Sequence, residues 1–155
     1  MTKAKKIPKR RSGFVIREFR IVEYDALIEL WNGAGLPHKP RGRDTKKNIS
    51  SEIHHANAIF LVAEKEGTLI GSAFGTHDGR KGWINRVAVL PEYRRSGLAT
   101  QLVREVEKRL TDAGIDIIAC LIEEWNKESV TFFERLGYKR HNDISYFTKR
   151  RYPDI

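Results

Sequence analysis

A glycine with small neighbours follows two arginines at the start of a helical pattern in the second half of the chain. The residues are Arg94-Arg95-Ser96-Gly97-Leu98-Ala99-Thr100. Beyond them, apolar residues recur at the spacing of one helix face, at Leu98, Leu102, Val106 and Leu110. The first N–H groups of a helix have no partner inside the helix, and the helix dipole is positive at that end. The segment therefore predicts a binding site for an anion. The small residues Gly97 and Ala99 would let the anion approach the backbone closely.

The residues before this site narrow its chemistry. The stretch Arg86-Val87-Ala88-Val89-Leu90 is apolar after its first residue and predicts a buried strand that leads into the turn. The turn lacks the Gly-Lys-Ser/Thr ending of the Walker A loop, and it lacks the G-x-G-x-x-G pattern of dinucleotide-binding proteins. A plain strand, turn and helix with solvated arginines is the alternative interpretation.

A second segment combines an asparagine with a short aromatic helix. It reads Asn126-Lys127-Glu128-Ser129-Val130-Thr131-Phe132-Phe133-Glu134-Arg135-Leu136-Gly137-Tyr138. Together the two segments resemble the GNAT superfamily of acyl-CoA-dependent N-acyltransferases. The first segment matches its Val-x-Val…Arg-x-x-Gly-x-Ala pyrophosphate motif, and the second matches its Asn-x-x-Ser/Ala-x-x-Phe-Tyr…Gly-Phe/Tyr motif. The predicted order of elements fits that superfamily over nearly the whole chain.

The resemblance implies acetyl-CoA as cosubstrate and an amine as acceptor, and the sequence itself shows no metal site. Backbone groups of Val87 and Val89 would pair with the amides of the pantetheine arm, as an added strand would. The amides of residues 94–100 would hold the CoA pyrophosphate, and Asn126 would hydrogen-bond to pantetheine where two neighbouring strands splay apart. The implied cofactor-binding residues are Val87, Ala88, Val89, Arg94, Arg95, Ser96, Gly97, Leu98, Ala99, Thr100, Asn126, Ser129 and Phe133.

The residues that usually assist the transfer in this superfamily are missing. The family often has a tyrosine at the position of Phe133, and some members have a glutamate at the position of Leu121. The strand at residues 83–89 has no acidic residue that could serve instead. Glu123 is the candidate base, and Tyr146 is the candidate hydroxyl donor to the departing thiolate. The alternatives are a solvated strand end for Glu123 and a half-buried sheet aromatic for Tyr146.

The acceptor amine would enter beside the loop at residues 35–44. The candidates to contact it are Trp31, His38, Arg41, Arg43 and Asp44. The two arginines could favour an amine that carries a carboxylate, or they could form ion pairs with the body of the domain. The alternative is that the loop is a plain solvated connection.

The net charge of the chain is concentrated at its start. The 155 residues include 29 lysines and arginines and 20 aspartates and glutamates, which gives a net charge of +9. Residues 1–12 contain six of the basic residues and no acidic one, which predicts a basic mobile arm in front of one domain at residues 13–155. Nucleic acid could bind to residues 3–11 through phosphate attraction alone.

Two alternative functions follow from these features. The arm permits a nucleic-acid- or ribosome-associated protein, and the missing tyrosine permits a CoA-sensing protein with little catalysis. The single cysteine, Cys120, excludes an internal disulfide framework and lies in an apolar run, as a small core residue would. No apolar run is long enough for a membrane span. A cytoplasmic monomer or homodimer without membrane contact is therefore expected.

The hydrophobic patterns predict elements in the order β-α-α-β-β-β-α-β-α-β-β. This order is typical of one α/β (α+β layered) domain with a mixed, mostly antiparallel sheet and helices on both faces. The resemblance adds a central V-shaped splay between two strands. Three details can be tested against a structure: a helix capped by Asp44 that runs to about residue 55, a strand at residues 115–122, and a final hairpin of residues 138–140 and 144–148.

Overall fold

The computed structural model describes residues 13–153 and residue 155. Within them the elements in chain order are β1 (Val15–Glu18), α1 (Tyr24–Ala34), α2 (Lys46–Ile53), β2 (Ala58–Lys65), β3 (Thr68–His77), β4 (Lys81–Val89), α3 (Leu98–Asp112), β5 (Ile117–Ala119) and α4 (Lys127–Arg135). Short 3-10 turns precede α1 at Ile21–Glu23 and follow β4 at Pro91–Tyr93. The predicted order of elements is therefore confirmed up to α4.

The strands form one mixed sheet in the order β1-β2-β3-β4-β5. β1 to β4 pair antiparallel, whereas β5 runs parallel to β4 after the crossover through α3. The parallel pairing extends only from Lys81↔Ile117 to Trp83↔Ala119. Because β4 continues to Val89, the two strands separate beyond these pairs and leave an opening between them. The mixed, mostly antiparallel sheet is confirmed, and the predicted splay lies between β4 and β5.

Alternating side chains of the central strands enter two separate cores. In β2, Phe60 and Val62 belong to the core beneath α1 and α2, whereas Leu61 and Ala63 belong to the core beneath α3. This alternation follows from strand geometry, which sends successive side chains to opposite faces of the sheet. Helices therefore cover both faces, as the sequence predicts.

Two glycines of β3 allow α3 to lie close to the sheet. A Cβ atom added at Gly75 would lie 2.5 Å from Val106 Cγ1, and one added at Gly71 would lie 2.9 Å from Leu102 Cδ1. Side chains at these positions would push the helix away from the sheet. The glycines thus fix the height of α3 above the sheet and, with it, the position of the helix N-terminus that is predicted to bind an anion.

The start of α2 differs from the prediction. Thr45 is the N-cap, and its Oγ1 accepts a hydrogen bond from the Asn48 N–H over 3.2 Å. The prediction that Asp44 caps this helix is wrong, because the Asp44 carboxylate is buried and paired with Arg86. The helix also ends at Ile53 rather than near residue 55.

The last part of the chain departs furthest from the prediction. β5 ends at Ala119 rather than at residue 122, because β4 diverges from it at that point. The predicted final hairpin is wrong for the described residues, since residues 138–153 contain no strand, and Ile144, Tyr146 and Phe147 are exposed. The three-residue edge of β5 offers few backbone groups to which another strand could bind.

Some predictions concern features that the structure does not test. The basic arm at residues 1–12 lies outside the described residues, so the arm, the domain division after it and the binding of nucleic acid by residues 3–11 stay predictions. No helix in the described part of the chain is long and apolar enough to cross a membrane. The cytoplasmic location and the monomeric or dimeric state also stay predictions.

An ion-pair network joins β1 to the turn before α1. Arg17 donates from Nη1 to Glu23 Oε2 over 2.9 Å and from Nε to Glu64 Oε2 over 2.7 Å. The Arg17 guanidinium lowers the pKa of Glu23 from 4.5 to about 2. Glu23 is therefore charged in the folded chain at pH values where it would be partly protonated in the unfolded chain, which links this network to acid stability.

Glu23→Gln is expected to lower the free energy of unfolding by about 1 kcal/mol at neutral pH, the upper range for a partly screened ion pair. The pKa of Glu23 is lower in the folded chain, so its contribution is full above pH 4.5 and is lost as the pH falls toward 2. Urea denaturation across this range should give wild-type and variant curves that converge in acid. A difference that stays constant down to the acid limit would contradict the assignment.

Candidate active site

The turn between β4 and α3 leaves the first N–H groups of α3 without a cap. Gly97 directly precedes the helix with φ +80°, and no side chain accepts a hydrogen bond from the first turn. A Cβ atom at Gly97 would meet no other atom within 4 Å, so the approach to these amides is open. Leu98 is buried and holds the first turn against the core. Open amides at the positive end of a buried helix suit a phosphate group.

The two arginines of the turn have different roles. Arg94 folds back, donating from Nε to the Val89 carbonyl over 3.2 Å and from Nη2 to the Ala34 carbonyl over 2.8 Å. It therefore joins the end of β4 to the end of α1 and contributes its charge only indirectly. Arg95 has φ +62°, is exposed, and has no acidic partner in the described part of the chain. Ser96 directs its hydroxyl to the Tyr93 carbonyl. Arg95 is thus the positive side chain left to face an anion.

β4 carries a bulge where it separates from β5. Between the pairs Ser72↔Ala88 and Phe74↔Asn85, two residues of β4 lie opposite one residue of β3. One of the two is Arg86, whose φ is +50°. From the bulge onward β4 pairs with β3 on one side only, so backbone groups on its other edge are available to a ligand. This is the edge predicted to hold pantetheine, formed by Val87, Ala88 and Val89.

A buried hydrogen-bond chain supports the bulge from the opposite face. The Trp31 Nε1–H donates to Ser72 Oγ over 3.1 Å, and the Ser72 hydroxyl donates to the Arg86 carbonyl over 2.8 Å. Both Trp31 and Ser72 are fully buried. Ser72 is not among the residues predicted from the sequence, although a hydroxyl in an otherwise apolar strand is a signal that a buried partner exists.

Asn126 lies at the start of α4, where its side chain serves as the N-cap. Its Oδ1 accepts a hydrogen bond from the Ser129 N–H over 3.2 Å. The NH₂ group of the same side chain has no acceptor within residues 13–153, so it can donate to a ligand. Phe133 is 6% exposed and packs edge-on against Phe132 and Tyr138. Phe133 therefore supports α4 from the core, and its predicted contact with CoA stays a prediction.

The structure does not join Glu123 and Tyr146 through a hydrogen-bond network. Glu123 is exposed, and its carbonyl accepts a hydrogen bond from the Asn126 N–H over 2.9 Å. Tyr146 is 69% exposed and lies in the segment that follows α4. No hydrogen bond links either side chain to another residue in the described ranges. Their roles as base and hydroxyl donor stay predictions.

The loop beside the predicted acceptor entrance is ordered by contacts with the domain. Trp31 is fully buried, and His38 lies over it with ring centroids 5.6 Å apart. An acceptor would therefore reach His38 before Trp31. Arg41 and Arg43 are exposed, and Arg43 Nε lies 4.0 Å from Asp44 Oδ2. The two arginines can face an acceptor, and their contact with it stays a prediction.

Metal binding has no support from the side-chain arrangement. Within residues 13–153 no group of three or more His, Cys, Asp or Glu side chains is placed to hold a metal ion. Cys120 is half-buried, and burial raises the pKa of its thiol to about 11. This pKa keeps the thiol protonated at neutral pH, which suits a small core residue rather than a nucleophile.

Comparison with known proteins identifies the family of this chain. Residues 24–138 match the family model described as the acetyltransferase (GNAT) family. The chain belongs to this family, which confirms the resemblance found in the sequence. It is an acetyl-CoA-dependent N-acetyltransferase. A curated relative from Photorhabdus laumondii, acetyltransferase plu1384, is 33% identical over 140 residues, which cover 90% of this chain and 96% of the relative.

Solved structures share the fold at lower sequence identity. The aminoglycoside acetyltransferase AAC(6')-Iy, in complex with a bisubstrate analogue, superposes with a TM-score of 0.74 at 20% identity, over 90% of this chain and 99% of that one. The PaiA N-acetyltransferase from Thermoplasma acidophilum, in complex with coenzyme A, has a TM-score of 0.74 at 22% identity, over 84% and 92% of the two chains. These similarities confirm the α/β fold.

Proposed function

We propose that the protein transfers the acetyl group of acetyl-CoA to a primary amine of a small molecule, an amino acid, or a peptide or protein N-terminus. The amine would attack directly in a complex that contains both substrates. The observation that carries this proposal is the open, uncapped N-terminus of α3 at the end of a bulged strand with a free edge. One end of this surface suits a phosphate and the other suits an extended amide chain.

Acetyl-CoA fits the residues present. The amides at the start of α3 would hold the pyrophosphate, with Arg95 as the nearest unpaired cation. The free edge of β4 would hold the pantetheine amides, and the Asn126 NH₂ group would donate to the same arm. These three contacts would orient the thioester toward the opening between β4 and β5.

The chemistry requires a neutral amine and an outlet for a thiolate. A primary amine has a pKa near ~10 and is mostly protonated at neutral pH, so a proton must leave before attack. The amine nitrogen then forms a C–N bond with the acetyl carbon, the C–S bond breaks, the nitrogen gives up a second proton, and the sulfur takes one up. We assign the first proton to Glu123, directly or through water. The Tyr146 hydroxyl protonates the sulfur and regains its proton, through water, from the nitrogen.

Tyr146→Phe is expected to lower kcat by about 100-fold, because the leaving thiolate loses its proton donor. CoA affinity should stay within about twofold, since the hydroxyl acts only on the leaving sulfur. Tyr152→Phe is the matched control, because Tyr152 lies exposed in the same segment and carries no assigned role. Equal kcat values for Tyr146→Phe and wild type would remove Tyr146 from the mechanism.

A panel of amines tests the proposed function. Each amine is incubated with acetyl-CoA, and both free thiol and the acetylated amine are measured, the second by mass spectrometry. The panel includes neamine, because an aminoglycoside acetyltransferase shares the fold, together with a diamine, amino acids and short peptides. The high pKa of Cys120 keeps its own thiol signal small. The proposal expects stoichiometric thiol and product with at least one class. CoA binding without transfer to any amine would instead favour a CoA-sensing protein.

A further inference from the structure

The Asp44 carboxylate is held from three directions although it lies in a surface loop. It is 1% exposed. Its Oδ1 accepts hydrogen bonds from Arg86 Nε over 3.0 Å and Nη2 over 2.5 Å, and its Oδ2 accepts one from the Lys39 N–H over 2.8 Å. The Tyr24 hydroxyl also donates to the Asp44 carbonyl over 2.7 Å. Asp44 therefore closes the loop on itself and ties it to α1 and β4.

Arg86 connects this loop to the bulge in β4. Its backbone forms the bulge, and its carbonyl is the end of the hydrogen-bond chain from Trp31 and Ser72. Its guanidinium lies 5.7 Å from the centroids of the Trp31 and Phe74 rings. The same guanidinium donates from Nη1 to the side chain of Asn85 over 3.1 Å. One residue thus joins the loop, the aromatic core and the free strand edge.

We propose that Asp44 and Arg86 are positioning residues that hold the acceptor loop, residues 35–45, in a fixed relation to the bulged edge of β4. This inference rests on the proposed function, because it concerns where the acceptor amine sits relative to the thioester. The ion pair is the direct side-chain link between the loop and the strand. When it is intact, a bound amine is presented to the acetyl carbon at a constant distance and angle.

The physical reason is the burial of the Asp44 carboxylate, which is paired with the partly buried Arg86 guanidinium. Without the Asp44 charge, the Arg86 guanidinium keeps its longer ion pair with Glu52 Oε2, over 3.4 Å, so it moves toward Glu52 and water. If Arg86 is changed instead, the Asp44 carboxylate can reach water only by releasing the Lys39 N–H, which would loosen the whole loop. No hydrogen bond or ion pair in the described residues joins this pair to the start of α3, and the backbone pairs of β4 with β3 do not depend on it, so CoA binding should persist when the loop is released.

Asp44→Asn tests the proposal because it keeps the size of the side chain and removes its charge. We expect kcat/KM for the acceptor to fall by about 10- to 100-fold, with CoA affinity from calorimetry within about twofold of wild type. Arg86→Lys keeps the charge but loses the bidentate contact with Asp44. Its acceptor kcat/KM should therefore lie between those of wild type and Asp44→Asn. It also decides the question if Asp44→Asn fails to fold.

Two readouts report the loop without any turnover. Trypsin should cleave after Arg41, whose following residue is unchanged, faster in Asp44→Asn than in wild type. The indole N–H of Trp31, followed by NMR, should exchange with solvent faster in Asp44→Asn than in wild type, because the loop residues that lie over it are loosened. If no amine is acetylated by wild type, the proposed function fails, and these two readouts still decide whether the pair holds the loop.

Glu23→Gln is the matched control for lost stability. It removes one charge from another partly buried arginine ion pair, at β1 and away from the acceptor loop. It should lower the unfolding free energy without changing acceptor kcat/KM, tryptic cleavage of the loop or Trp31 exchange. Wild-type loop cleavage and exchange in Asp44→Asn would overturn the proposal. So would a fall in kcat/KM no larger than that of Glu23→Gln.

Discussion

Gly97→Glu is expected to abolish CoA binding. The new carboxylate would stand in front of the first amides of α3, where the pyrophosphate is proposed to lie. Two like charges about 4 Å apart repel by about 4 kcal/mol at an effective dielectric constant of about 20, which is ~1000-fold in affinity. The φ of +80° at this position adds backbone strain for any residue other than glycine. Isothermal titration of the variant with CoA measures the loss.

Gly79→Glu is the control that separates charge at the site from backbone strain. Gly79 has φ +87° and is exposed, and a Cβ atom there would meet no other atom within 4 Å, as is the case at Gly97. It lies in the turn between β3 and β4, at the far end of β4 from the anion site. The two variants should lose similar stability, and only Gly97→Glu should lose CoA affinity. Unchanged CoA affinity in Gly97→Glu would contradict the site assignment.

Asn126→Asp is expected to weaken CoA binding while leaving the fold intact. Aspartate caps a helix as well as asparagine does, so the contact with the Ser129 N–H is kept. The NH₂ donor is lost, which leaves a pantetheine acceptor without a partner at a cost of about 1–3 kcal/mol, or ~5- to 150-fold in affinity. Calorimetric titration with CoA and thermal denaturation of the same sample measure the two effects separately.

Asn48→Asp makes the same chemical change at another helix start. The Asn48 NH₂ group donates to the Gly42 carbonyl over 3.1 Å, and Asn48 lies in α2 on the opposite face of the sheet from α3. CoA affinity should be unchanged in this control. Equal CoA affinity in Asn126→Asp and wild type would show that Asn126 acts only as a helix cap.

The fold and the cofactor side of the site could be predicted from the sequence because both depend on local patterns. The helical stripe after Gly97, the apolar strand before it and the asparagine at the start of α4 are each readable from neighbouring residues. The helix period, the strand alternation and the glycine punctuation agree with one another from β1 to α4. Family membership follows from the same short segments, and the match over residues 24–138 confirms it.

The acceptor side could not be predicted in the same way, because its contacts join distant parts of the chain. Asp44 is of a residue type that often caps helices and lies just before α2, but 42 residues separate it from the arginine that binds it. The sequence predicts Arg94 as a phosphate ligand, yet its guanidinium donates to two carbonyls, one of them 60 residues away. Local propensity cannot anticipate such pairings. The final hairpin failed for a related reason, since a strand needs a partner edge that β5 is too short to supply.

We propose that CoA lies along the free edge of β4 with its pyrophosphate at the start of α3. The most direct test is an NMR titration of the isotope-labelled protein with CoA, followed through the backbone amides and the asparagine side chains. We expect saturable shift changes concentrated at Gly97, Ala99, Thr100 and Val87 and at the Asn126 NH₂ group. Saturable changes centred elsewhere, with these resonances unmoved, would contradict it.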